Sequence, residues 1–232
     1  MILCQWENLP KFMQVEEVKP YWEILNKKKG QLFVKRLFDF ILALILLVLF
    51  AIPMIIIAVL IKIDSSGEVF YRQERVTTNG RCFRIYKFRT MVKNADRIGS
   101  SVTVNNDVRI TRLGAKLRKL RLDELPQLFN VVKGDMSFVG TRPEVVSYVK
   151  RYRSEYYATL LLPAGITSEA SIRYKDEAKL LNTAGDTNRV YLDNVLPVKM
   201  EWNLKSIRNY NFLREIITMI RTILAVLGKD YE

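Results

Sequence analysis

The sequence predicts a mostly helical α+β protein: a small domain carrying a β-hairpin, tied to a membrane by a proline-broken apolar helix and by amphipathic surface helices. Three observations carry that reading. Residues 40–61, FILALILLVLFAIPMIIIAVLI, run for 22 residues without a charge and contain Pro53. Two β-rich runs flank Asn79-Gly80. The segments around 110–122 and 211–227 place apolar residues at helical spacing among basic ones.

As one helix the uncharged run is about 33 Å long, enough for a bilayer core. A soluble core helix would not be apolar all round at such length. A signal peptide would begin earlier and end in a small-residue cleavage pattern. Pro53 removes a helical hydrogen bond and clashes with the preceding turn, which predicts a kink. A kinked crossing and a bend that returns to the face of entry both fit the length. Lys27, Lys28, Lys29, Lys35 and Arg36 precede the run, and Lys62 follows it. Basic flanks favour the cytoplasmic side, so charge favours return. The chain divides into an interfacial lead-in at 1–34, a re-entrant membrane helix at 35–63, and a domain at 64–232. Within the lead-in, residues 1–30 read as loosely folded. Trp6, Tyr21 and Trp22 there suit either the lipid interface or the surface of the domain.

Residues 69–76 and 81–88 predict two strands, since Asn-Gly between β-rich runs signals a hairpin. Regular alternation puts Lys87 and Arg89 on one face. Residues 110–122 predict a basic amphipathic helix with Leu113, Leu117 and Leu120 in line, able to lie on an anionic surface. A short helix follows Pro126 and stops at Gly134. Another is expected to start near Thr141, with Pro143 in its first turn. The 163–195 stretch reads as loop-rich, with Gly165, Asn182 and Gly185. A last helix at 211–227 packs on the core or grazes the membrane.

The 232 residues are 49% hydrophobic and 26% charged, which excludes wholesale disorder. No histidine is present, which excludes His-ligated metals and any imidazole base. Cys4 and Cys82 are too few for a disulfide framework or a thiolate zinc site. Chemistry is left to carboxylates, Lys, Arg, Tyr, Ser and Thr, with an oxygen-ligated metal allowed. The net charge is +13, and residues 70–153 alone hold +12 of it. Such a block suits an anionic partner: a phosphorylated substrate, lipid headgroups or nucleic acid.

Three stretches could hold a site. Asp123 and Glu124 stand together just before Pro126. Acids there can simply complement a helix dipole. The same pair could supply a nucleophile and a Mg²⁺ ligand, provided cations offset the repulsion between carboxylate and diphosphate. Gly140, Thr141 and Arg142 read as a capped helix start where amides and a guanidinium suit an anion. Tyr86 to Met91 carries Lys87 and Arg89.

Taken together, these stretches resemble the bacterial sugar transferases, the monotopic phosphoglycosyl transferases. The resemblance runs from about Lys35 to Leu227. It is carried by Lys35-Arg36 with Asp39, by Pro53, by Val69 to Gln73 (VFYRQ), Tyr86 to Met91 (YKFRTM), Arg109 to Gly114 (RITRLG), Leu122 to Asn130 (LDELPQLFN), and Lys133 to Ser137 with Arg142-Pro143. The resemblance implies a catalytic domain on the cytoplasmic face of the bacterial inner membrane, anchored by a re-entrant helix broken at Pro53. It implies transfer of a sugar 1-phosphate from a UDP-sugar to a polyprenyl phosphate such as undecaprenyl phosphate, with release of UMP, as the first membrane step of capsule, O-antigen or exopolysaccharide assembly. Asp123 would be the nucleophile, forming a phosphosugar intermediate in ping-pong order, and Glu124 would hold Mg²⁺. Arg142 would meet the nucleotide or its phosphates, and Lys87, Arg89, Arg72 and Arg118 are further phosphate-binding candidates. Membrane lipids are expected partners, a homodimer is allowed, and nucleic acid is not expected. An inactive scaffold and a membrane-anchored nucleic-acid binder are the alternatives.

The chain departs from the family pattern at Thr141, in place of a proline, and at Val108 in Asp107-Val108-Arg109. It departs again along Leu162 to Ser168, which lacks an arginine, and at Asn203 and Glu215, where aspartates are usual. These differences are expected to bear on recognition of the sugar or nucleotide.

Overall fold

The uncharged run folds as two helices rather than one. In the computed structural model, which describes residues 3–95, 107–174 and 187–227, helix α1 (Lys19–Asn26) leads into α2 (Lys29–Leu49). Helix α3 (Ala51–Asp64) follows after Phe50 alone, bent from α2 by 61°. The cause lies in Pro53, third residue of α3. It has no N–H to offer the Leu49 carbonyl, and its ring crowds that carbonyl. Among the described residues no single helix is long and apolar enough to cross a membrane, whereas the bent pair together has the length and composition.

Both helices of the pair turn one narrow stripe inward. Leu32, Lys35, Asp39 and Ala43 are buried on α2, and Met54, Ile57 and Ile61 on α3. The rest of their surface is exposed hydrocarbon, including Ile41, Leu44, Ile45, Val48, Ile52, Ile55, Ile56 and Ile63. A core helix of a soluble protein would bury these groups.

Two charges that flank the apolar run turn out to be fasteners. Lys35 is 5% exposed, donates to the Val139 carbonyl at 3.1 Å, and pairs with Glu215 at 2.7 Å. Asp39, one turn on, lies 3.7 Å from the same ammonium. Arg36 donates to the carbonyls of Val131 and Val132 at 2.7 and 3.0 Å, near the end of helix α5 (Gln127–Lys133). The bent pair is therefore locked to the domain by charge-assisted hydrogen bonds.

The expected hairpin forms. Strands β1 (Phe70–Val76) and β2 (Cys82–Phe88) pair antiparallel from Phe70↔Phe88 to Val76↔Cys82. The turn places Asn79 and Gly80 at φ 57° and 74°, where these two residues meet little steric penalty. Phe83 and Ile85 face α5, while Phe88 joins Met54, Ile57 and Ile61 of α3 and Leu117 in a second cluster. Helix α5 ends where expected, at Gly134 with φ 85°.

A parallel pair, β3 (Met136–Val139) with β4 (Ala164–Thr167), was not anticipated. It is buried, so neither strand alternates and no period of two betrays it. It explains why no helix starts at Thr141. Gly140 N–H donates to Thr167 and Gly165 N–H to Thr141, at 3.0 and 2.9 Å. These bonds keep the chain extended to Val145, and only Val146–Val149 is helical (α6).

Two other expectations are corrected. The basic helix is α4 (Arg112–Lys119), shorter than 110–122, and Leu120 lies exposed beyond it. Arg121 adopts a left-handed conformation, φ 55°, which swings Leu122 back against the α3 cluster. The lead-in is not loose. Leu3, Leu9, Met13, Val18, Tyr21 and Leu25 are buried in the main core. That core also takes in residues of the 3-10 stretch Ser154–Leu161. It closes on residues of the π-turn Tyr191–Val195 and of helix α9 (Leu196–Arg208), which follow α7 (Glu169–Arg173) and α8 (Thr187–Val190). Trp22 donates to the Cys4 carbonyl at 2.8 Å and meets Trp6 edge-on. The last helix, α10 (Phe212–Val226), is as expected. Asn182 and Gly185 lie outside the described residues.

The close β3–β4 contact makes a sharp stability prediction. A Cβ at Gly165 would lie 2.2 Å from both the N and the O of Gly140. Gly165→Ala should cost about 3 kcal/mol, measured by denaturant unfolding. Gly30→Ala, on α2 with nothing within 4 Å of the added carbon, should stabilise by about 0.5 kcal/mol.

Candidate active site

The left-handed Arg121 starts a tight turn, Leu122–Glu124. Leu122 and Leu125 pack on the cluster formed by α3, Phe88 and Leu117. The two carboxylates between these leucines are thereby tied to the base of the bent helix pair. Asp123 and Glu124 are 7% and 8% exposed.

The neighbours divide their environments. Glu124 Oε1 accepts from Lys87 at 2.7 Å and Arg142 at 2.9 Å, with Arg121 at 3.9 Å. Burial alone would raise its pKa, but Lys87 and Arg142 outweigh burial and hold the carboxyl well below the usual range. Asp123 Oδ1 is buried with no hydrogen-bond partner. Burial and the Glu124 charge push the Asp123 carboxyl up, against Lys87, Arg118 and Arg121. Burial likewise pulls Lys87 and Arg118 down, opposed by the dyad. One carboxylate is thus neutralised by cations while its neighbour keeps an unsatisfied oxygen.

Asp123 lines an open cavity of about 990 Å³. Its walls come from the hairpin (Arg72, Lys87), from Arg109 and Arg118, and from Arg142 to Val145. Its size suits a nucleotide-sized ligand. Among the described residues no group of three or more acidic or sulfur ligands could enclose a metal. The dyad itself fits a cation that takes part of its shell from substrate. Mg²⁺ commonly uses one or two carboxylates plus phosphate oxygens, and Asp123 Oδ1 is an oxygen donor left without a partner.

The structure brings Asp123, Glu124, Lys87, Arg142 and Arg118 together. Arg142 does not reach the site from a helix start; it projects from the extended segment after β3. Arg72 lines the cavity with its guanidinium 5.2 Å from the Tyr86 ring centre. Arg89 also lines it, but its donors go to the end of α3: Ser65 O at 2.6 Å, Ser65 Oγ at 2.8 Å and Ser66 O at 2.9 Å. Arg89, one residue past β2, therefore holds the segment after α3 rather than standing as an exposed phosphate contact.

Sequence reasoning missed a polar wall of the same cavity, formed by Arg75, Glu144, Tyr148, Tyr191 and Lys199. Tyr191 donates to Glu144 at 2.5 Å, Lys199 to Tyr191 at 3.2 Å, and Tyr148 to Asn188 at 2.7 Å. The only local signal was a lysine in an otherwise buried helical stripe, Leu196, Lys199, Met200, Asn203. The family departures are also relocated. Thr141, Leu162, Ser168, Asn203 and Glu215 line a separate cavity of about 430 Å³, which shares no residue with the first. Val108 is the exception: it lies between Asp107 and Arg109, which pair at 2.6 Å.

A buried acid pair ringed by cations thus lies beside a large cavity and next to the cluster that the bent apolar helix pair forms with Phe88 and Leu117. The family model described as bacterial sugar transferase matches residues 30–229, and the chain belongs to that family. It is 37% identical over 198 residues to a UDP-N-acetylgalactosamine-undecaprenyl-phosphate N-acetylgalactosaminephosphotransferase of Aeromonas hydrophila, covering 84% of this chain and 44% of that protein. It is 38% identical over 174 residues to a putative undecaprenyl-phosphate N-acetylgalactosaminyl 1-phosphate transferase of Bacillus subtilis, covering 74% and 94%. The exopolysaccharide production protein ExoY of Rhizobium meliloti is 31% identical over 83% of this chain and 84% of its own length. The chain thus spans less than half of the Aeromonas protein and nearly all of the Bacillus one.

The Glu124 contacts predict a pH-dependent stability. A carboxyl held below its unfolded pKa stabilises the fold above that unfolded value, and the gain is lost as pH falls through the folded pKa. Lys87→Met should destabilise the chelator-treated protein by about 2 kcal/mol at pH 7. It should also move the onset of acid unfolding to higher pH, followed by circular dichroism.

Proposed function

We propose that the protein transfers a sugar 1-phosphate from a UDP-sugar to undecaprenyl phosphate at the cytoplasmic face of a bacterial membrane. The observation that carries this reading is Asp123, which lines a cation-walled cavity, keeps one buried oxygen without a partner, and sits between leucines packed on the bent helix pair. Relatives named as undecaprenyl-phosphate transferases share that lipid acceptor and differ in the sugar: N-acetylgalactosamine, galactose or glucose. The reading therefore covers the reaction and leaves the sugar to a donor panel.

The chain's own residues account for the steps. Arg118, Arg142 and Lys87 gather the diphosphate and offset its charge. An Asp123 oxygen attacks the sugar-bearing phosphorus, the bond to the UMP oxygen breaks, and UMP leaves with that electron pair. An oxygen of the lipid phosphate then attacks the same phosphorus. The bond to Asp123 breaks, the carboxylate returns, and polyprenyl-diphosphate-sugar is released. Asp123 and Glu124 would hold Mg²⁺ together with donor phosphates, and the ion would draw charge from the phosphoryl oxygens. The bent helices, re-entrant in this reading, lie in the lipid with their exposed hydrocarbon. They set the dyad at the depth of the lipid phosphate, so neither substrate has to leave its own phase.

Asp123→Asn should lower turnover by about 10³-fold or more, measured as UMP release with undecaprenyl phosphate present. The unaltered protein with UDP-sugar alone should release at most one UMP per chain and gain the mass of a sugar phosphate, carried by Asp123. Full turnover by Asp123→Asn would overturn the reading.

A further inference from the structure

Helix α10 is the least embedded of the long helices: none of its residues is fully buried. It is held by Phe212 edge-on to Phe38, by Thr222 against Thr167 at 2.8 Å, and by Glu215 on Lys35 at 2.7 Å. Leu213, Ile220, Ile223 and Leu227 form an exposed stripe along it. Arg214 and Arg221, seven residues apart, flank that stripe on one side. On that same side, between α9 and α10, opens the second cavity of about 430 Å³.

The lining of this cavity mixes three cations with two acids, Glu169 and Glu215. Arg214, Arg221 and Lys205 stand among its walls. Among the described residues Arg214 reaches the Asn209 carbonyl, at 3.5 Å, and Arg221 lies 3.8 Å from Glu169. Both cations are exposed and loosely held, so each can turn to a ligand. Val139, Ile207 and Ile217 supply apolar wall. Tyr210, also lining, is 3% exposed, and its hydroxyl is buried with no partner. A buried donor without a partner is costly and calls for an acceptor. Glu215, the acid at that end, is committed to Lys35.

We infer that this cavity seats the headgroup of an anionic membrane phospholipid. The cations select a phosphate that carries net charge. The apolar wall receives the glycerol and the first acyl carbons. An in-plane amphipathic helix sinks its apolar stripe and leaves its flanking arginines at headgroup level, which is where the cavity opens. The depth of that opening rests on the membrane reading above; the binding site itself is independent of the reaction.

Trp202 lines the cavity and reports on it directly. The full chain in neutral detergent micelles is titrated with dihexanoyl phosphatidylglycerol while tryptophan emission is followed. A saturable change is expected, absent in Trp202→Phe. Dihexanoyl phosphatidylcholine and glycerol 1-phosphate should each bind at least about tenfold more weakly. The double variant Arg214→Gln/Arg221→Gln should weaken phosphatidylglycerol at least about tenfold, with an unchanged melting midpoint. Asp123→Asn should bind it as the unaltered protein does, which separates this site from the transfer reaction. Equal binding of phosphatidylcholine, equal binding of glycerol 1-phosphate, an unaffected double variant, or displacement by equimolar undecaprenyl phosphate would each overturn the assignment.

Discussion

The arrangement depends on one carboxylate shared by two cations. Glu124 draws Lys87 from β2 and Arg142 from the segment after β3 onto a single oxygen. Three stretches far apart in sequence are thereby fixed around the cavity. The geometry leaves no comparable partner for Asp123, whose Oδ1 stays buried and unpaired. Like charges side by side cannot both be relieved by the same few cations. The dyad therefore splits into a paired member and a buried, unpaired one, a difference set by environment rather than by residue type.

That division is useful only if the dyad is held at one depth, and the fastening of the bent helices supplies this. Lys35 and Arg36 read from sequence as flank charges that orient a membrane helix. In the fold they reach inward, to the end of β3, to α10 and to the last carbonyls of α5. Buried charge is tolerated there because each donor finds an acceptor. Leu122 and Leu125 complete the link from the other side by packing against the α3 cluster. A shift of the bent pair would then carry the dyad with it, so the position of the carboxylates follows that of the helices.

The sequence made local features legible and left long-range ones hidden. The hairpin, the end of α5 at Gly134, the bend near Pro53 and the extent of α10 follow from turn chemistry and spacing, which act within a few residues. The dyad and most of its cations were found because their motifs are contiguous. The helix expected at Thr141 failed because hydrogen bonds from β4, some 25 residues later, keep that stretch extended. The lead-in seemed loose because its apolar residues have no regular period; their partners are residues of the 154–161 stretch and α9, more than 120 positions away. Arg89 shows the same limit at one residue. It lies one residue beyond β2, and the acceptors that claim it, at Ser65 and Ser66, follow the preceding helix.

The two cavities show why departures from a family pattern must be placed in space before they are interpreted. Thr141, Leu162, Ser168, Asn203 and Glu215 look, along the chain, like changes to a donor pocket. All five line the other cavity, separated from the dyad by the strand segment that ends in Arg142. Thr141 and Arg142 are adjacent, yet extended backbone sends successive side chains to opposite faces. One therefore contributes to each cavity. Arg142 and the dyad are thus set apart from the variation one residue away, by the same non-helical backbone that the bonds to β4 hold.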